Sequence, residues 1–348
     1  MSRRAIAAVA AVLAVVAAGL VTWRLLTPTT PLADALSYAP DTTSRASWTD
    51  WEDVRRQLGA DVDAGSSAED VDAFVSEAFA SDLSSMSALG TSAGTMQTEL
   101  GFSPATLRWE LLAQSSEGAV EVLGVAEDTS FGDLAGRLAD AGWTEPEDDD
   151  GVWVGGPDVV AGVGSLTPEL QHFVLLADRG VVLASDQAPY LEKVRKVVDG
   201  DADSATRLGD LASTLGTPLA AAVYDGAYAC EHLAMAQADD SAQAEADQLV
   251  AAAGGVHPLT GFAMGALPGG EVRAVLQVED ADDAPGDADA RAQLAAGPAP
   301  GQGGDFTDRF SVESAGSDGR EITLDLRPEQ GSYVLSDLTS GPVLFATC

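Results

Sequence analysis

Gly90-Thr91-Ser92-Ala93-Gly94 fits the pattern G-x-S-x-G. In hydrolases that pattern lifts a nucleophilic serine onto a sharp turn between a buried strand and a helix. His172, His232 and His257 all follow Ser92, as the chain order of such enzymes requires. The strand is the weak element, because Asp82 to Ser87 is polar and serine-rich. A loop of small residues is the simpler reading, and a hydrolase built on Ser92 is the alternative.

Asp199, Asp201, Asp203 and Asp210 occupy positions 1, 3, 5 and 12 of a calcium-loop template. Calcium takes six to eight oxygens from a sharply turning loop. Ser204 stands where the template has glycine, and Arg207 places a cation at position 9. A solvated linker between two helices competes with a calcium site. Glu279, Asp280, Asp282, Asp283, Asp287 and Asp289 form the densest acidic group, with a second at Glu145 to Asp150. Both read as surface loops, able at most to gather cations weakly. Trp48, Trp51, Trp109, Trp143 and Trp153 could form a ligand platform, although core packing is the commoner use of such residues. No phosphate-cradling glycine loop or zinc spacing appears, so no cofactor is expected.

Cys230 and Cys348 are the only cysteines. In an oxidising compartment two cysteines form one disulfide. It would close a loop of about 120 residues, worth at most about 4.7 kcal/mol as lost chain entropy. Two thiols and the nearby His232 make no metal ligand set.

The compartment follows from the N-terminus. Arg3 and Arg4 precede an apolar run from Ala5 that continues to Leu26. A membrane helix needs about 20 such residues. Eight strongly apolar members contribute roughly −2.5 to −5 kcal/mol to insertion. The reading is a signal-anchor helix at 1-26 that holds the lipid bilayer through residues 5-26. Its N-terminus is cytoplasmic and the bulk extracytoplasmic. A cleaved signal peptide, with Val16-Ala17-Ala18 as its site, is the competitor. Arg3 and Arg4 are two of 18 basic residues, so the remainder carries 16 against 55 acidic ones. Such a surface repels phosphate backbones, which excludes nucleic acid as a partner. An envelope protein is the remaining partner candidate.

The elements that must position these residues divide by period. Residues 27-43, with Pro28, Pro31 and Pro40, read as a stalk. Trp51 to Leu58 and Ser67 to Leu83 read as helices, with caps at Asp50 and at Ser66 or Ser67. From Thr106 the period becomes two, and four hairpins are expected. They are Leu107–Gln114 with Ala119–Ala126, Phe173–Ala177 with Val181–Ser185, Thr260–Ala266 with Val272–Val278, and Phe310–Ser314 with Glu321–Leu326. Helices are expected at Ser130–Ala141, Pro189–Val198, Leu208–Leu215 and, as one long piece, Ala227–Ala253. Tyr333–Ser336 and Val343–Ala346 read as closing strands. A unit of hairpin, acidic residue and helix recurs. The expected fold is α+β, antiparallel sheets of repeated hairpin–helix modules with helices packed on one face. A first lobe spans 44-206 and a second 207-348.

The run Phe173-Val-Leu-Leu-Ala-Asp-Arg-Gly-Val-Val-Leu-Ala-Ser, then Leu208-Gly-Asp-Leu and Leu219-Ala-Ala-Ala-Val-Tyr224, resembles an uncharacterised actinobacterial-type family of membrane-anchored exported proteins. The resemblance covers about residues 106–280. It implies an anchor and repeated hairpin–helix units, and it carries no activity or site residue. The functional expectation is a non-enzymatic binding or envelope-structural domain, with the Ser92 hydrolase and a calcium-stabilised domain as alternatives.

Overall fold

The computed structural model describes residues 29–148 and 150–348. The expected anchor lies outside the described residues, and among the described ones no helix is long and apolar enough to cross a membrane. The fold is mixed α+β around a large antiparallel sheet. Its strands are β1 (Arg45–Thr49), β2 (Leu107–Ser115), β3 (Gly118–Val125), β4 (Trp153–Val154), β5 (His172–Leu176), β6 (Val181–Ser185), β7 (Ala220–Asp225), β8 (Leu259–Ala266), β9 (Val272–Val278), β10 (Phe310–Asp318) and β11 (Glu321–Pro328). The order across the sheet is β10-β11-β9-β8-β7-β1-β2-β3-β6-β5-β4. All four expected hairpins form, as β2–β3, β5–β6, β8–β9 and β10–β11.

β1 sits at the centre and ties the halves together. Arg45 stands opposite both Gln114 and Tyr224, and Thr49 opposite both Glu110 and Ala220. One sheet therefore runs through the residue 206/207 boundary, with no gap between two lobes.

Helices cover both faces, not one. Along β7, Ala220, Ala222 and Tyr224 enter one core while Ala221 and Val223 enter another. A strand buried on both sides reads as a continuous apolar run, and Leu219 to Tyr224 is one. The larger core takes Trp51 and Val54 from helix Trp51–Leu58 and Phe74 from Ala68–Ala80. Leu134 of Phe131–Ala141 and Leu294 of Ala284–Ala295 join it. The smaller core takes Leu32 and Leu36 from Pro31–Leu36, Leu191 and Val194 from Ala188–Val198, and Leu208 and Leu211 from Thr206–Ser213.

The expected stalk at 27-43 is corrected over its described part, which from Pro31 on packs into that second core. Thr30 caps a helix whose first residue is Pro31, where a missing N–H costs nothing. Asp41 N–H donates to the Asp203 carbonyl at 3.1 Å, and Ala205 N–H to the Ala39 carbonyl at 2.9 Å. The expected long helix Ala227–Ala253 is broken. Asp225 caps Gly226–Tyr228, a π-helical turn follows at Ala229–Leu233, and Asp239 caps a new helix, Asp240–Ala252. Each aspartate offers the backbone an N-cap in place of a continued helix. The expected strand at Tyr333–Ser336 is instead the start of helix Val334–Ser340, whose Leu335 and Ser336 amides donate to the Asp82 carboxylate. Val343–Ala346 contributes the short 3-10 turn Leu344–Ala346.

Candidate functional site

Ser92 does not sit on a nucleophile elbow. It ends a 3-10 turn, Gly90–Ser92, and is fully buried. Its Oγ accepts from Thr167 N–H at 2.8 Å, and none of the three histidines bonds to it. His232 packs against the Tyr228 ring at 4.5 Å. His257 is held by Asp287, and His172 opens β5 with Nδ1 buried and unpartnered. The structure thus separates a serine from every imidazole that could take its proton.

The four aspartates are not brought together either. Among the described residues no group of three or more His, Cys, Asp and Glu side chains could hold a metal ion. Asp199 and Asp201 close helix Ala188–Val198 through their backbone N–H groups, Asp203 docks the Asp41 segment, and Asp210 lies exposed on the next helix. Arg207, the misfit in the calcium template, has a different use. Its Nη2 donates to the Thr43 carbonyl at 3.2 Å and meets the Asp225 carboxylate at 3.4 Å. It holds the former stalk against the end of β7.

The five tryptophans from Trp48 to Trp153 pack in or against the two cores. Trp48 stacks on Trp109 at 5.5 Å in one core, and Trp51 and Trp143 make edge contacts to Phe74 and Phe173 in the other. Trp109 lies so close over Gly124 that an added Cβ would meet its ring at 2.3 Å.

Cys230 and Cys348 form the expected disulfide, with Cα atoms 5.7 Å apart and 118 residues between them in sequence. Next to it, one member of the acidic loop has turned inward. Asp287 is 2% exposed and Arg291 is fully buried. Arg291 donates to the Asp287 carboxylate and to the carbonyls of His257, Phe345 and Thr347. Asp287 also accepts from His257 N–H at 3.0 Å and meets its Nδ1 at 2.7 Å. That hydrogen bond raises the His257 pKa above its ordinary value. The arrangement resembles half of a catalytic dyad, but here it clamps the C-terminal segment.

The surface feature with the most chemistry lies where β1 meets β7. Phe262, Tyr224, Tyr228 and His232 form one aromatic column, with centroid spacings of 6.0, 5.7 and 4.5 Å from inside to outside. Arg45 caps it. Its Nε donates to Gln114 Oε1 at 2.6 Å, its Nη1 donates to the Tyr228 hydroxyl at 2.9 Å, and its guanidinium carbon lies 5.8 Å from the Tyr228 ring. Arg45 lines two clefts. One, of about 330 Å³, has Ser87, Ala88, Leu112, Tyr224 and Thr339 in its wall. The other, of about 520 Å³, has Gln114, Tyr228, Glu231 and His232. Burial raises the Tyr224 pKa, so its hydroxyl stays protonated. Such π-helical turns occur frequently at functional sites, and the turn carrying His232 is one.

Two other clefts offer less. The larger, about 610 Å³, holds Arg55 and Arg137, but their guanidinium groups are spent on the carbonyls of Pro104, Leu107 and Thr98. The second, about 550 Å³, is an apolar hollow beside the disulfide.

Residues of the column were visible in the sequence only as a period of four, Tyr224, Tyr228 and His232, crossing from strand to helical turn. Arg45 carried no signal, because its partners are 69 and 183 residues away.

No protein-family model matches the chain, and no curated protein matches it. Among solved structures it is similar to crystal form I of TP0453, with 9% identity over 90% of this chain and 100% of that one, at a TM-score of 0.41. Crystal form III of TP0453 matches with 8% identity over 87% and 97%, at the same TM-score.

Proposed function

We propose that this is an extracytoplasmic, membrane-anchored domain with a non-enzymatic binding role. Its contact surface is the pair of clefts meeting at Arg45. The observation that carries the reading is the column from Phe262 to His232, which runs from the core to the surface and ends in open clefts beside a guanidinium. Aromatic and arginine side chains at the centre of a surface supply most binding energy in protein interfaces. Support for the address comes from the Cys230–Cys348 disulfide, a bond typical of oxidising compartments, and from the apolar segment at residues 5-26. The partner class is an envelope protein.

The test is site-specific photocrosslinking in whole cells, with the photoreactive residue at His232, at Ser340 and at a control position, Asp158. Adducts with another envelope protein at the first two positions, lost in Arg45→Ala, are the expected result. Adducts spread equally over all three positions, or unaffected by Arg45→Ala, would overturn the reading.

A further inference from the structure

The interior of the larger core holds a second polar centre. Glu110 on β2 and Glu121 on β3 point into the same face, diagonally placed because Glu110 stands opposite Leu123 and Glu121 opposite Leu112. Both are essentially unexposed. Glu110 is well satisfied. It accepts from Trp51 Nε1, from Ser87 Oγ and from Ala88 N–H, each at 2.8 Å. Glu121 has no partner at either carboxylate oxygen. The charged groups facing it are Glu110 and Glu169, both acidic. His172 lies near in the sheet, but its neighbour Phe173 shares the register of Glu121 and Ala184, so the imidazole belongs to the opposite face. Among the described residues no cation meets the pair.

A buried carboxylate without a donor does not stay ionised; it takes up a proton. Two carboxylates in one pocket hold their protons as a pair. Three donors favour the charge on Glu110, which leaves the proton to Glu121. The single charge has a structural task. Ser87 and Ala88 belong to the irregular segment 81–89, and with Ser85 and Met86 they form the wall of the cleft at Arg45. Glu110 bonds directly to two of those wall residues.

We propose that Glu110 and Glu121 form a proton-operated latch on the Ser85–Ala88 wall: with one proton the pair holds the wall closed, and losing that proton to water releases it. A second negative charge facing Glu110 and Glu169 has no donor to receive it. Water must enter, and the irregular segment that Glu110 holds directly is the cover that gives way. Burial, followed by the two neighbouring carboxylates, raises the Glu121 pKa well above the usual range, in agreement with this geometry. The latch operates whether or not the clefts take a partner.

The experiment uses infrared spectroscopy and amide exchange on the folded protein from pH 5 to pH 9. A protonated-carboxyl band persisting at pH 7 in the wild type and missing in Glu121→Gln is expected. Exchange at the Ala88 amide, corrected for the intrinsic rate, should accelerate at least tenfold as that band disappears, and should stay flat in Glu121→Gln. If Glu121→Gln does not fold, Glu121→Met serves the same comparison. Absence of the band at pH 7 overturns the proposal. So does a band that disappears while the Thr167 amide, beside Glu169, accelerates and Ala88 does not.

Discussion

The two buried polar centres differ in their bookkeeping of donors and acceptors, and the comparison explains what each does. Asp287 and Arg291 are as buried as Glu110 and Glu121. Every nitrogen of Arg291 has an acceptor, and Asp287 receives Arg291 and His257. The centre is closed, and its product is a clamp on residues 345–347 and on the loop at His257. At the other centre Glu110 is satisfied and Glu121 is not. That centre is open to protons. Equal burial therefore yields a rigid clamp in one place and a titrating latch in the other, and the difference lies in a guanidinium.

The comparison breaks most visibly at Arg291. Arg291→Ala leaves Asp287 buried without its cation, which costs about 3–5 kcal/mol. A drop of that size in the unfolding free energy from urea titration is expected at every pH from 5 to 8. A loss below about 1 kcal/mol would show that water replaces the guanidinium. Next in size is the disulfide. Cys230→Ser with Cys348→Ser should lose about 2–4 kcal/mol, measured against the oxidised protein. The loss should be less than additive with Arg291→Ala, because both fix the same C-terminal segment. The smallest effect is at His257. Its folded pKa is raised, so its contribution is present below the ordinary value of 6.5 and lost as pH rises through the folded value. His257→Gln should lower the melting temperature below about pH 6.5, with the difference closing as pH rises above that value, and a difference confined to higher pH would contradict the Asp287 hydrogen bond.

Much of the sheet was legible because four hairpins carry period-two apolar patterns, and the disulfide followed from there being two cysteines. Other features were hidden for identifiable reasons. Pro31 after Thr30 is a helix start, but among three prolines it read as a stalk. Two-faced burial of the sheet was written in Leu219 to Tyr224, an unbroken apolar run, yet the hairpin pattern suggested one covered face. The acid pair left a faint mark, with Glu110 and Glu121 each set inside an apolar strand. Whether such a residue points to solvent or core depends on which face the helices cover, which local pattern does not reveal. Ser92 shows the reverse. Its motif was clear and its surroundings are wrong, since burial and Thr167 occupy it.

The most direct test concerns the open centre. Because burial and the neighbouring carboxylates raise the folded Glu121 pKa well above 4.5, unfolding releases a proton above pH 4.5. Stability then falls as pH rises across that window, by about 1.4 kcal/mol per pH unit for each such group. The measurement is urea unfolding of the wild type and Glu121→Gln at pH 5 and pH 7. The wild type should lose on the order of 2–3 kcal/mol more than the variant between those values. Equal losses in the two proteins would mean that Glu121 is charged in the fold, and would contradict the account.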